Sequence, residues 1–305
     1  MRAAFFNTLL DLAAGDERIH LVVGDLGFGV VEPFARRFPD RFLNAGVAEQ
    51  NMTGVAAGLA LCGKVVFTYS IGNFSTIRCL EQIRNDICYH RAAVKIVSVG
   101  GGFAYGPLGM THHAVEDLAI MRVLPGMVVV APGDPFEVEQ ATRAIVAQPG
   151  PCYVRLGRAG EPRIHGPGIE FRLGRAIRVR EGRALTIISS GGLLETALQA
   201  AELLGEAGID ARVVSMHTLK PLDEAEILSA AAETGAIATL EEHSVIGGLG
   251  SAVAEVLAES GGGRGRLKRL GVPSAVGPEV GSQEYLRAMH GLSPAAVFQS
   301  LKSWL

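Results

Sequence analysis

Between residues 20 and 157, short runs of consecutive apolar, β-branched residues alternate with longer stretches whose apolar positions recur every three or four residues. The runs HLVVG, RFLNA, KVVFTY, VKIVSV, MVVVAP and CYVRLG predict strands, and what separates them predicts helices and turns. Strands this uniformly apolar belong in a parallel sheet covered on both faces, because each crossover helix must bury its own stripe against it. The segment 158–173 keeps neither period and gathers glycine, proline and charge, which predicts a linker. From Gly174 the alternation resumes, with strands expected at LTIISS, ARVVSM, AIATLE and LKRLGV. Helices are expected at LLETALQAAELLGEAG, LDEAEILSAAAE and LGSAVAEVLAES, with Gly208 and Gly235 placed as C-caps. The pattern predicts two doubly wound α/β domains with parallel sheets, at about 1–160 and 174–305.

Composition narrows the partners. With 48% hydrophobic residues in 305, a large core is available. Lys plus Arg number 28 against 31 Asp plus Glu, a formal charge of -3, so no global field draws the chain to nucleic acid or anionic lipid. Cys62, Cys79, Cys88 and Cys152 show no CxxC spacing, which fits a reduced intracellular protein and not a disulfide scaffold or zinc ribbon. Asn7, Thr8 and Asp11 interrupt the first apolar run, no A-x-A pattern follows, and no apolar run approaches ~18 residues. An amphipathic first helix, no membrane association and a cytoplasmic location are expected.

Ligands of such sheets bind beyond the carboxyl ends of the strands. VGDLGFG, NAGVAEQNM and GGGFAYGPLGMTHH occupy those places. GDLGFG does not continue into a dinucleotide fingerprint, since Glu32 stands where a third small residue is needed, and no GxxxxGK[ST] run exists. His112 and His113, followed by Glu116 and Asp117, lack a clustered third ligand, so no metal held by this chain's side chains is expected. Glu49 opens a helix whose following face, Met52, Val55, Ala56, Leu59 and Ala60, is apolar, with Gly54 and Gly58 four apart. Its carboxylate is either favoured by the helix macrodipole or set in an apolar cleft, where desolvation lets it hold or pass a proton near neutral pH. The residue alone does not choose.

The surrounding segments do. NAGVAEQNMTGVAAGLALCG, YSIGNF, RCLEQIRND, GPLGMTHHAVEDLAIMRVLPGMVVVAPGDPFE, TLKPLD and EEHSVIGGLGSAVAEVL together resemble the C-terminal half of transketolase, across nearly the whole chain. The resemblance extends to 1-deoxyxylulose-phosphate synthase and to the β subunits of 2-oxoacid dehydrogenases. It implies thiamine diphosphate as cofactor and divides the chain into a pyrimidine-binding and a C-terminal domain. Glu49 matches the glutamate that hydrogen-bonds the aminopyrimidine, and Tyr69, Phe74 and Phe67 lie in the stretch that supplies the aromatic stack. His112 matches a histidine that handles substrate hydroxyl protons, and Arg155 and Arg158 match arginines for a sugar phosphate.

Two departures accompany the match: Leu108 replaces an aspartate that holds a donor hydroxyl, and Gly101 replaces an arginine of the synthases. The resemblance also implies a GDG motif that holds the diphosphate through Mg²⁺, and this chain has GDL at Gly24 and GDP at Gly133 but no GDG. A separate α-type subunit supplying the Mg²⁺ and diphosphate site is therefore expected, with thiamine diphosphate shared between chains and activity only in an α2β2 assembly. The glycine-bearing helix after Glu49 and the first helix are candidate interfaces. The expected activity is transfer of a two-carbon ketol unit between sugars or sugar phosphates. The alternatives are the β subunit of a 2-oxoacid dehydrogenase, a synthase-like enzyme and a non-catalytic scaffold.

Overall fold

The computed structural model of the chain describes residues 1–166, 168–261, 265–274, 277 and 279–305. Among the described residues the strands are β1 (Ile19–Val23), β2 (Phe42–Asn44), β3 (Val65–Ile71), β4 (Val94–Val99), β5 (Val128–Val130), β6 (Cys152–Leu156), β7 (Ile177–Arg180), β8 (Leu185–Ser189), β9 (Ala211–Ser215), β10 (Thr218–Lys220), β11 (Ala236–Ser244) and β12 (Arg266–Val272). The helices are α1 (Arg2–Gly15), α2 (Glu32–Arg37), α3 (Glu49–Leu61), the short turns α4 (Gly72–Ser75) and α5 (Leu80–Gln82), α6 (Asp117–Val123), α7 (Pro135–Ala147), α8 (Leu194–Glu206), α9 (Glu224–Thr234), α10 (Leu249–Glu259), α11 (Gln283–Met289) and α12 (Pro294–Trp304).

The strands form two sheets, ordered β10-β5-β6-β4-β3-β1-β2 and β12-β11-β8-β9-β7. Every run expected to be a strand is one, and neighbours pair in parallel except at one edge of each sheet. There β10 lies antiparallel to β5, with Thr218 opposite Val130, and β7 lies antiparallel to β9. These three- and four-residue edges are too short to carry a period, so the expected all-parallel sheets are in fact mixed. β10 also comes from the second half of the chain yet completes the first sheet.

Alternation along β3 assigns each side chain a face. Phe67 and Tyr69 point to the side covered by α1, where Phe5 and Phe6 meet them at ring separations of 5.9 and 4.8 Å. Val66 points to the other side, against Met52 and Ala56 of α3. α1 thus buries Phe5, Phe6, Leu9 and Ala13 within its own domain, and that apolar face is not an interface. Gly54 and Gly58 of α3 are exposed, as the other candidate interface requires.

The two domains share apolar packing: Leu118 and Met121 lie in one cluster with Ile188, Val214 and Ile237. A buried carboxylate locks them. Glu242 on β11 accepts from the Phe103 N–H at 2.9 Å, from Gln283 Nε2 at 3.0 Å and from Arg287 Nη2 at 2.6 Å. Gly102, at φ +65, has no room for a side chain, since a Cβ would stand 2.5 Å from Glu242 Cγ. The loop 100–113 is therefore pinned against the second domain.

Candidate active site

The carboxyl ends of β1, β2 and β3 converge on the start of α3. Glu49 is its first residue and is 2% exposed. Its turn is tightened by Thr53 Oγ1, which donates to the Glu49 carbonyl at 2.8 Å, and no side chain caps the helix. Gly24, just beyond β1, passes close to the carboxyl stem: a Cβ there would lie 3.2 Å from Glu49 Cγ. Asp25 follows in the left-handed region at φ 53, which Asp tolerates, and exchanges two hydrogen bonds of 3.1 and 2.9 Å with the Asn44 side chain. Arg78 Nη1 donates to Glu49 Oε2 at 2.6 Å, and its side chain is 43% exposed. The carboxylate thus sits at the base of the surface beneath a partly solvated cation.

Phe74 is half-buried. The Arg78 Cζ lies 4.4 Å from its ring centre, and the His112 ring meets it edge-on at 5.1 Å. Asn73 Nδ2 donates to the carbonyls of Thr111 and His113 at 3.2 and 2.8 Å, so the aromatic turn and the histidine loop move as one. His112 is half-buried with Nδ1 2.9 Å from Thr111 Oγ1. Burial, and then the neighbouring His113, lower its pKa below the ordinary histidine value, which keeps the ring neutral at pH 7. His113 is buried and donates from Nε2 to the Gly106 carbonyl at 3.0 Å. Beyond His112, the Tyr105 ring lies at 6.3 Å, and the exposed Arg158 sits 5.3 Å above it. Glu49, Arg78, Phe74, His112, Tyr105 and Arg158 form an unbroken row.

Three residues expected at the site lie elsewhere. Phe67 and Tyr69 are fully buried against α1, so neither ring is reachable by a molecule seated on this row. Among the described residues the buried Tyr69 hydroxyl has no hydrogen-bond partner, and burial pushes its pKa upward. Arg155 is 5% exposed and holds the domains together: Nε faces Asp117 at 3.1 Å, and Nη2 donates to the Ala114 and Glu242 carbonyls at 2.5 and 2.8 Å. It occupies the space a side chain at Gly101 would need, since a Cβ there would approach Arg155 Cγ at 2.7 Å. Leu108 projects at the rim, 56% exposed. Conversely, Arg78, Asp25 and Asn44 were not singled out from the sequence. Arg78 follows Phe74 by four residues, a spacing that brings side chains together on helical turns, and that was the available signal.

The transketolase pyrimidine-binding domain matches residues 1–161 and the transketolase C-terminal domain matches 174–297. One of the subunits of the apulose-4-phosphate transketolase of Phocaeicola vulgatus is 44% identical over 261 residues, covering 85% of this chain and 84% of that protein. The 6-deoxy-6-sulfo-D-fructose transketolase subunit SqwH of Clostridium sp. (strain MSTE9) is 41% identical, with coverage of 98% and 92%. A solved split-gene transketolase, described as an inactive β4 tetramer, superposes with a TM-score of 0.89 at 40% identity, over 99% of this chain and 96% of that one.

Proposed function

The chain belongs to the transketolase family, and from that premise we propose that it is the pyrimidine-binding subunit of a split, thiamine-diphosphate-dependent enzyme that moves a two-carbon ketol unit between sugars or sugar phosphates. The observation that carries this reading is the arrangement of Glu49, Arg78 and Phe74. The flat guanidinium of Arg78 makes there the two contacts an aminopyrimidine would make, an N–H onto the carboxylate and a face onto the ring. The residues present therefore fit that end of the cofactor. When bound, it would supply a nucleophilic thiazolium carbon and an electron sink for the broken carbon–carbon bond.

This chain's own groups divide the remaining work. Glu49 holds a ring nitrogen and settles where its proton resides, a role suited to a carboxylate at 2% exposure in the first turn of a helix. Phe74 supplies a stacking surface. His112, neutral at pH 7 and fixed by Thr111, accepts or returns a proton at a substrate hydroxyl. Arg158, exposed over Tyr105, is placed for a substrate phosphate. Leu108 offers no acceptor for a donor hydroxyl at the rim.

A diphosphate-bound Mg²⁺ calls for hard oxygen ligands, and the chain has no GDG motif. The reading therefore includes an α-type partner that brings the cation and diphosphate site, with pairing of the two chain types in an assembly of two plus two. The names of the relatives as subunits, matched over most of their length, support it. Among the described residues no helix is long and apolar enough to cross a membrane. The test is co-expression with a GDG-bearing partner chain and a ketose-to-aldose transfer assay. Turnover that needs both chains and an aldehyde acceptor is the expected result; turnover that needs a lipoyl acceptor instead overturns it.

A further inference from the structure

We propose that Arg78 is a built-in competitor for the aminopyrimidine: its guanidinium and the ring claim one place, and the guanidinium must swing into water for the ring to enter. The inference rests on the cofactor reading above and adds to it a group that moves. Nη1 takes Glu49 Oε2 at 2.6 Å, and Cζ lies 4.4 Å from the centre of the Phe74 ring. The second carboxylate oxygen offers no way round, because Oε1 lies against the Gly24 backbone, where an added Cβ would stand 3.5 Å from it. A flat ring cannot reach Oε2 and the Phe74 face together while the guanidinium stays there.

The backbone beneath Arg78 is fixed. Thr76 and Cys79 are fully buried, Thr76 Oγ1 donates to the Gly72 carbonyl at 2.6 Å, and Cys79 Sγ donates to the Phe74 carbonyl at 3.1 Å. The side chain is not. It is 43% exposed, and among the described residues Nε and Nη2 have no acceptor. One hydrogen bond and one ring face therefore hold a guanidinium that is otherwise in water. At exposed sites each such contact shifts an equilibrium by a factor of about two to five, so the place stands clear in about one-tenth of the molecules. The affinity for a ring that needs it cleared falls by that fraction, about 10-fold. Among the described residues Arg78 is the one cation paired with the buried carboxylate, so its departure is disfavoured until another hydrogen-bonding group takes Oε2. Arrival of the ring and departure of the arginine are thus one exchange, and Glu49 is partnered on both sides of it.

The test is calorimetric titration of thiamine diphosphate, with Mg²⁺, into the complex reconstituted with the GDG-bearing partner. Arg78→Ala removes the competitor; Arg78→Met keeps its apolar stem and serves where the shorter side chain folds poorly. Each should bind the cofactor about 10-fold more tightly than the wild type. A merely structural arginine would leave the affinity unchanged or weaken it. Both variants should also melt below the wild type without cofactor and gain more from saturating cofactor, because the ring then replaces a partner that Glu49 lacks. Adding Phe74→Ala to Arg78→Ala should weaken binding about 10-fold, since the stack then belongs to the ring alone. Equal or weaker binding by the folded Arg78 variants, with the Phe74→Ala loss still seen, overturns the exchange and leaves the cofactor reading standing. No loss on adding Phe74→Ala, or no binding by any of these proteins, removes the cofactor reading and the exchange with it.

Discussion

Arg78 Nη1 stands 2.6 Å from Glu49 Oε2, a contact between a side chain 43% exposed and one that is 2% exposed. The pair joins solvent to the base of the site.

Glu49→Gln keeps the volume and one hydrogen-bonding oxygen but removes the acid. In the complex reconstituted with its partner, ketol transfer should fall by about 100-fold or more, while the melting temperature of the chain stays near that of the wild type. A loss of less than about 10-fold would remove Glu49 from proton handling.

His112 has its pKa lowered by burial and by His113, so the neutral ring persists to a pH below the ordinary histidine value of 6.5. If the neutral ring is the working form, kcat/KM holds steady from neutrality down to that value and falls only below it. His112→Gln should lower the rate and abolish that acid limb. An acid limb retained in the variant assigns it to another group.

His217 gives the opposite kind of pH effect, on stability. It is fully buried against Phe171 at 4.1 Å, and burial followed by the charge of His165 pushes its pKa down to about 3. A depressed value means stability that is present above pH 6.5 and is lost as the pH falls, because the unfolded chain takes up the proton first. Glu137, pushed up to about 7 by burial, works in the other direction, so the comparison must be with a variant. Between pH 6.5 and 5 the wild type should lose about 2 kcal/mol more than His217→Gln in denaturant titrations. Parallel pH profiles for the two proteins would discount it.

Glu242 accepts hydrogen bonds from the Phe103 backbone, Gln283 and Arg287, and so ties the loop 100–113 to α11. Removing the carboxylate in Glu242→Ala strands a guanidinium whose side chain is 21% exposed. The expected cost is about 3 kcal/mol, read from urea unfolding, with faster proteolysis of the loop.

Gly54 and Gly58 stand exposed in the middle of α3, and a Cβ added at either position would meet nothing within 4 Å. Each costs the helix about 1 kcal/mol relative to alanine, a cost that close approach of another helix would offset. The double substitution Gly54→Leu and Gly58→Leu should leave the monomer folded and reduce the assembled mass in sedimentation.

The strands were readable because parallel sheets make them continuously apolar, and Glu49 was readable because its motif stands at a helix start after a strand. The aromatic assignment failed at Phe67 and Tyr69 since both precede the end of β3, where alternation turns them toward α1; Phe74, beyond the strand, is free to face outward. Arg155 misled because an arginine near a strand end reads as a ligand group, whereas its partners, Asp117 and the carbonyls of Ala114 and Glu242, lie 38, 41 and 87 residues away in sequence and only folding assembles them. Arg78 was passed over because nothing local marks an exposed arginine as the partner of a carboxylate 29 residues earlier.

β10 has a practical bearing on how the chain can be cut. Its backbone covers β5, and the Ala131 N–H is satisfied by the His217 carbonyl at 2.8 Å. A fragment ending in the linker would leave that rim of the first sheet as an open row of donors and acceptors, ready to pair with another copy. Anyone excising the cofactor-facing half would do better to carry residues 218–220 along, or to graft a substitute strand, than to trust the glycine-rich crossing as a clean seam.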